Sequence, residues 1–481
     1  MEALGNAVLA RAIDFVLDLE RRPASSLPDA GATAELVRRF LEAPPEAGRS
    51  VAEVLQRLDP AIGAAVETAG PRNLGWIPGG GLFASAVADL YALVVNRYVG
   101  LASFAPGLTA LEHGVVRWLC ELCGLPERAG GLLLSGGSMA NFAAVVAARH
   151  ALLGDDIARG TAYVGAQAHH SMAKALRLAG LPAASIRVVP STPQLRLDVE
   201  AAARMIASDR AGGSQPFLLV GSAGTTDTGT IDPLPEVADL AAAEGLWYHA
   251  DAAYGGLFRL TQRGRERLAG IERADSITLD PHKSLFLPSG TGALVVRDAA
   301  SLHAAHSLEG HYLQDVPPVG GLPDFAALGP ELTRELRGLR VWLPLQLHGI
   351  GAFRAALDEK LDLARLAYDT LAAEPALDVP REPDLTIVTF RPRGAARASG
   401  SSASAGAQSL LERVNRSRRV ILSSTEIDGQ STLRLAILAH RTHARHVAEA
   451  LDIITTEARA GDVDARELAA ELRRPERHPR R

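Results

Sequence analysis

Lysine is nearly missing from this chain. Of its 50 basic residues only Lys174, Lys283 and Lys360 are lysines, so arginine carries almost all the positive charge. Arginine stays protonated in proteins, whereas a lysine amine can shed its proton and attack a carbonyl. That difference directs the search for chemistry to the surroundings of the three that remain. Cysteine is scarcer still, with only Cys120 and Cys123, in WLCELCGLP. A single CxxC pair does not make a four-ligand metal site. Trp118, Leu119, Leu122 and Leu125 around it have helical spacing, which predicts buried core thiols and no metal. No apolar run approaches the roughly 18 residues a membrane span needs. Positive charge is not in excess either: 50 basic against 55 acidic residues give a net charge of −5, no footprint for nucleic acid. The basic ending RRPERHPRR reads as a frayed tail, and the N-terminal MEALGNAVLARAIDFVLDLERRP as an amphipathic helix, not a signal peptide. These absences lead us to expect a soluble, cytoplasmic protein.

What is present is a large globular composition: 481 residues, 47% hydrophobic and 22% charged, enough for two or three domains. The middle of the chain alternates β-type runs with helical stretches. GLLLS, TAYVG, SIRVVP, FLLVG, WYHAD, SITLD and GALVVRD read as strands, separated by segments such as ANFAAVVAARHALL and LPEVADLAAAEG. Such alternation predicts an α/β layer with a largely parallel sheet, whose ligands bind at the carboxyl ends of the strands. We expect a helical N-terminal segment over residues 1–110, an α/β domain over 111–340, a smaller α+β domain over 341–465 and a basic tail over 466–481. In the smaller domain LTIVTFRP, RRVILSS and STLRLAIL read as strands, and the low-complexity stretch 394–408 as an exposed loop.

Four motifs fall where expected strands end. In LLLSGGSMANFAAVVAAR a strand runs through Ser135, Gly136, Gly137 and Ser138 into a helix, an arrangement able to seat a phosphate on free N–H groups. The same residues approximate a nucleophile elbow, with Ser138 as nucleophile and alanine at its end, so a serine hydrolase stays open here. Asp251, closing WYHAD, is either a helix cap or the partner of a buried cationic ring nitrogen. His169 and His170, in AQAHHSMAKA, suit ring stacking, acid–base work or capping. Lys283, in DPHKSLFLPSGTG, follows a β-run and a proline turn, and its amine can reach the mouth the other three would form. Lys174 and Lys360 lie in polar-patterned helical stretches and read as solvated. A phosphate seat, a stacking group, an acid for a ring nitrogen and an amine for a Schiff base are together what pyridoxal 5'-phosphate requires.

The succession SGGSMAN, QAHHS, AGTT, HADAAYGG and DPHKS resembles the group II pyridoxal-phosphate-dependent decarboxylases, among them the aromatic-L-amino-acid, glutamate and diaminobutyrate enzymes. The likeness runs from about Pro71 to about Val447, and Pro106, Thr109 and Glu112 match a further family stretch upstream. It implies the fold of the aspartate aminotransferase superfamily: a large domain with a mostly parallel seven-stranded sheet and a small C-terminal α+β domain. It implies Lys283 as the Schiff-base lysine, Asp251 on the pyridinium nitrogen and His169 stacked on the ring. Gly136, Gly137, Ser138 and His282 would hold the phosphate, and Thr226 would sit near the ring's polar edge. Arg434 matches a family arginine near the substrate end, where a structural ion pair is an equal reading, and Trp76 and Gly79 are expected at that same end. It further implies a homodimer with shared active sites, the N-terminal segment wrapping the partner and residues near Leu101 to Phe104 reaching the neighbour's pocket.

The cofactor labilises any of three bonds at the α-carbon, so it does not name the reaction. The Gly- and Pro-rich segment 309–325 reads as a lid, and its Tyr312 matches the family tyrosine that protonates the α-carbon after carbon dioxide leaves. Its presence favours simple decarboxylation of an L-amino acid to an amine over the aldehyde synthases and other carbon–carbon lyases of the same fold. Some positions depart from the relatives. Ser284 stands where aromatic-acid members carry tryptophan, Asp280 where asparagine is common, and Gly79-Gly80-Gly81 where many have a polar residue. With Trp76 as a wall, the opened space suggests an aromatic or bulky substrate.

Overall fold

The computed structural model describes residues 1–307, 319–393 and 401–472, with side chains described outside 401–404 and 462–472. Seven strands form the main sheet: β1 (Gly130–Leu134), β2 (Gly160–Gly165), β3 (Ile186–Val189), β4 (Gln215–Ser222), β5 (Trp247–Asp251), β6 (Ser276–Leu279) and β7 (Gly292–Val296). Their order is β1-β7-β6-β5-β4-β2-β3. The pairs β6/β5, β5/β4, β4/β2 and β2/β3 are parallel, and β7 alone runs against both of its neighbours. Each of the seven β-type runs seen in the sequence is one of these strands. They were readable because β1, β5, β6 and β7 are buried along their whole length, as strands covered on both faces are, and so contain near-continuous apolar runs. With β7 reversed between them, β1 and β6 point the same way. The carboxyl ends of β1, β2, β4, β5 and β6 therefore share one edge.

The described chain divides into two compact units, residues 81–364 with 383–387, and residues 1–80 with 365–382 and 388–481. The first contains the seven-stranded sheet. The second contains most of a four-stranded sheet, β8 (Leu377–Asp378), β9 (Ile387–Pro392), β10 (Ser423–Ile427) and β11 (Gln430–Ala436), in the order β10-β11-β9-β8. Asp428 and Gly429 turn β10 into β11 with φ of 52° and 72°, the left-handed pair that a two-residue hairpin requires.

Three sequence expectations are corrected. The stretch RRVILSS becomes strand only from Ser423, its Val420, Ile421 and Leu422 being buried without joining the ladder. The expected loop over 394–408 is helical from Ser401, in a helix Ser401–Arg416 whose Ala407, Leu410, Leu411 and Val414 supply a buried stripe. Lys360 is not solvated but fully buried, its Nζ 2.8 Å from Glu359 Oε2. It lies on the same helical face as Phe353, Leu357, Ala364 and Leu371, all buried, and burial pushes its pKa down. The final helix, Ala444–Leu472, runs into the stretch read as a tail, and residues 473–481 lie outside the described chain.

Candidate active site

At the shared carboxyl edge the turns after five strands enclose a cavity of about 290 Å³. Gly136, Gly137, Ser138, His169, Thr226, Asp251, His282 and Lys283 all line it. These eight come from five separate turns, so the sheet's topology brings them together. The helix Gly137–Leu153 begins at the cavity, and its first internally bonded amides are those of Met139 and Ala140, both to Gly136 O. The N–H groups of Gly137 and Ser138 have no acceptor among the described residues, and the helix dipole adds partial positive charge there. Glycine is demanded at 137 by crowding: a Cβ there would lie 3.0 Å from Asp280 Oδ2 and 3.2 Å from Ala253 Cβ.

Lys283 sits in a short helical turn, Pro281–Ser284, opened by the proline. Its Nζ is 2.9 Å from Asp280 Oδ2, and His282 Nε2 is 3.7 Å from the same oxygen. Asp280 is thus neither turned away nor exposed: it is 2% accessible, and its Oδ1 has no hydrogen-bond partner among the described residues. His282 Nδ1 donates to the Thr291 carbonyl at 2.7 Å, which aims Nε2 away from that carbonyl. Ser284 is wholly buried and its hydroxyl donates to the Tyr254 carbonyl.

Asp251 is buried at the end of β5 and accepts from Asn141 Nδ2 at 3.0 Å and the Ala253 amide at 3.2 Å. His169 accepts at Nδ1 from the Ser171 amide at 3.3 Å, and Ser171 Oγ lies 2.7 Å from the same atom. Desolvation lowers its pKa, which favours the neutral ring. The neighbouring His170 ring lies 4.2 Å away, tilted by 42°. Our sequence reading overlooked Asn141, Ser171, His249, Ser276 and Thr278, which pack behind Asp251. The signal was alternation: polar residues at 249 and 251, and at 276, 278 and 280, mark one face of two otherwise apolar strands.

The pyridoxal-dependent decarboxylase conserved domain matches residues 35–393. The chain belongs to the pyridoxal-dependent decarboxylase family. It is 33% identical over 445 residues to the aromatic-L-amino-acid decarboxylase of Bacillus atrophaeus, covering 92% of each chain. It is 30% identical over 461 residues to the L-2,4-diaminobutyrate decarboxylase of Rhizobium meliloti (strain 1021), covering 94% of this chain and 91% of the relative. Among solved structures, Oryza sativa TDC with PLP and tryptamine superposes with a TM-score of 0.89 at 25% identity, over 95% of this chain and 97% of that one. The decarboxylase therefore uses pyridoxal phosphate and removes the carboxylate of an amino acid. Its cavity fits that cofactor: free helix amides and a missing Cβ for a phosphate, a buried carboxylate for a ring nitrogen, and an amine for an aldehyde. Among the described residues no hydrogen bond joins Ser138 to a histidine or carboxylate, and family membership removes the serine-hydrolase reading.

The remaining expected residues are not among those that line this cavity. Trp76, Gly79 and Arg434 belong to the smaller unit. There Arg434 Nη1 and the Trp76 amide both donate to Ser423 Oγ, at 3.0 and 2.9 Å, so the arginine ties down the turn on which the exposed Trp76 stands. Leu101 and Ala102 are buried, with the Ala102 amide donating to Asp324 at 2.7 Å, whereas Phe104 is exposed. Tyr312 and most of the expected lid, residues 309–318, lie outside the described residues. Burial pushes the Cys120 and Cys123 thiols up to about 12, which leaves them inert. Among the described residues no helix is long and apolar enough to cross a membrane, and no group of three or more His, Cys, Asp or Glu is placed to hold a metal.

Proposed function

We propose that this decarboxylase converts an aromatic L-amino acid to its amine and carbon dioxide, as a cytoplasmic homodimer. The observation that carries the substrate class is its likeness, over nearly the whole of both chains, to an aromatic-L-amino-acid decarboxylase. Bound pyridoxal phosphate supplies an electron sink for the charge left at the α-carbon. The chain's own residues do the rest. Lys283 would hold the cofactor through its amine. The amides of Gly137 and Ser138, with His282, would hold its phosphate, and Thr226 would border the ring. Asp251 would keep the ring nitrogen protonated: at about 4 Å and an effective dielectric of roughly 20 the pair gains about 4 kcal/mol, or roughly three pK units. His169 would stack on the ring, and Tyr312 would return a proton to the α-carbon. Trp76, Gly79 and Arg434 would shape the substrate end.

The homodimer reading is supported by the three N-terminal helices, Glu2–Asp18, Ala30–Phe40 and Val51–Gly63, none of which has a buried residue. Leu4, Val8, Ile13, Val37, Phe40, Val54 and Ile62 are exposed along them, an apolar surface suited to a two-fold partner. The test of substrate class is kcat/KM for L-tryptophan, L-tyrosine, L-phenylalanine, L-glutamate and L-2,4-diaminobutyrate. An aromatic acid is expected to exceed the other two by roughly 10-fold or more, the scale one well-filled apolar pocket provides. A preference for either non-aromatic acid would overturn the reading.

A further inference from the structure

Behind Asp251 lies a buried hydrogen-bond network whose every proton has one consistent position. Trp247, His249 and Asp251 share a face of β5, and Ser276 and Thr278 share the same face of β6, paired His249 to Ser276 and Asp251 to Thr278. Asn141, on the first turns of the helix Gly137–Leu153, projects onto this face. The indole N–H of Trp247 is a donor only, so Ser276 Oγ accepts it at 2.7 Å. The one proton of Ser276 is then available to His249 Nδ1, 2.8 Å away. The Asn141 oxygen, turned from the Asp251 carboxylate, faces His249 Nε2 at 3.1 Å, so His249 carries its hydrogen on Nε2 and donates it there, where Thr278 Oγ1 also donates at 2.6 Å. With its oxygen so occupied, Asn141 turns its amide hydrogens outward, one to Asp251 Oδ2 and one to Ser171 Oγ, both at 3.0 Å. The Ser171 amide, a donor only, points at His169 Nδ1 at 3.3 Å, so His169 holds its hydrogen on Nε2 and its Nδ1 also accepts from Ser171 Oγ at 2.7 Å.

The opposite orientation of the Asn141 amide is excluded by charge. It would set a carbonyl oxygen against the Asp251 carboxylate, two acceptors face to face. His249 is held neutral by its complete burial, in keeping with a single proton on its ring.

We propose that Asn141 is a positioning residue: through one amide hydrogen it fixes and polarises Asp251, and through the other it holds the Ser171 hydroxyl that faces His169. This inference rests on the reading of Asp251 as partner of the cofactor's ring nitrogen. Asn141 lines the cavity beside Asp251 and His169, and its side-chain hydrogen bonds among the described residues all lie within the network. Its hydrogen bonds reach the ring-nitrogen partner through Asp251.

The test compares binding of pyridoxal phosphate with binding of its 1-deaza analogue, in which carbon replaces the ring nitrogen, by fluorescence titration of the cofactor-stripped full chain. Asn141→Asp is nearly isosteric and replaces the donor to Asp251 with a second carboxylate. Thr278→Val removes only a donor to Asn141 Oδ1, and carries the same comparison should the first variant fail to fold. The wild type should prefer pyridoxal phosphate to the deaza compound. Asn141→Asp should weaken pyridoxal phosphate roughly 10- to 100-fold, the scale of one lost hydrogen bond to a charged group, and leave the deaza compound within about threefold. Thr278→Val should show the same asymmetry, smaller. Equal weakening of both ligands would mean a structural role only, and no weakening would mean no role; either overturns the proposal. A wild type indifferent to the ring nitrogen would instead remove Asp251 from its assigned place, and this inference with it.

Discussion

Lys283 is one of three lysines in the chain, and the one whose amine lines the cavity. Lys283→Ala is therefore expected to abolish the visible absorption of the bound cofactor and the release of carbon dioxide together. Absorption spectra of the reconstituted variant check this, and a retained band would contradict it. Lys283→Arg should behave the same way, because arginine keeps the charge beside Asp280 but cannot form the imine. Asp251→Asn keeps the shape and removes the charge; a loss of roughly 100- to 1,000-fold in kcat is expected from the pairing energy above. The buried histidines give the chain a pH dependence of defined sign. Burial pushes His249 down to about 4, and moves His113, His169, His306 and His446 in the same direction. An unfolded histidine takes up a proton near about 6.5, so the unfolded chain binds more protons between about 6.5 and 4. The stability these rings contribute is full above about pH 6.5 and lost as pH falls toward 4, with His249 alone accounting for about 3 kcal/mol. Denaturant melts at pH 7.5 and 5.0 measure this, and His249→Gln should flatten part of the difference.

At the scale of elements, the site depends on how closely β7 approaches the turn after β1. A Cβ at Gly292 would lie 2.5 Å from the Gly136 Cα, backbone that cannot swing aside. Gly292→Ala is expected to cost about 1 to 3 kcal/mol and to push the phosphate-binding turn outward. A cofactor affinity lowered more than the melting temperature predicts would mark that displacement. The elements themselves were largely legible in the sequence. Strands buried on both faces announce themselves as apolar runs, and glycines, Asp251 and Lys283 stood at their ends. What was not legible depended on distance along the chain or on facing. Asn141 meets Asp251 across 110 residues, which no local pattern encodes. His249, Ser276 and Thr278 looked like isolated polar interruptions until β5 and β6 were laid side by side. Lys360 was misjudged from its polar neighbours, when its position on the apolar face of a long helix decided its burial. The alanine- and serine-rich stretch before Leu410 was read by composition, although Leu410, Leu411 and Val414 already had the spacing of a helical stripe.

For the whole molecule, the proposed dimer predicts a mass in sedimentation near twice the chain's 50.7 kDa. Deleting residues 1–63, which removes the three helices without buried residues, should shift it toward the monomer. Dimers surviving that deletion would assign the interface elsewhere. The central claim is that this chain uses pyridoxal phosphate to decarboxylate an aromatic L-amino acid to an amine. Its most direct test gives carboxyl-labelled L-tryptophan, L-tyrosine and L-phenylalanine to the cofactor-loaded protein, and measures labelled carbon dioxide, amine and aldehyde together. Carbon dioxide and amine are expected in equal amounts from at least one of the three, with Tyr312→Phe diverting product to the aldehyde in the presence of dioxygen. Carbon dioxide matched by aldehyde in the unaltered protein, or no carbon dioxide while the cofactor's visible band is present, would contradict it.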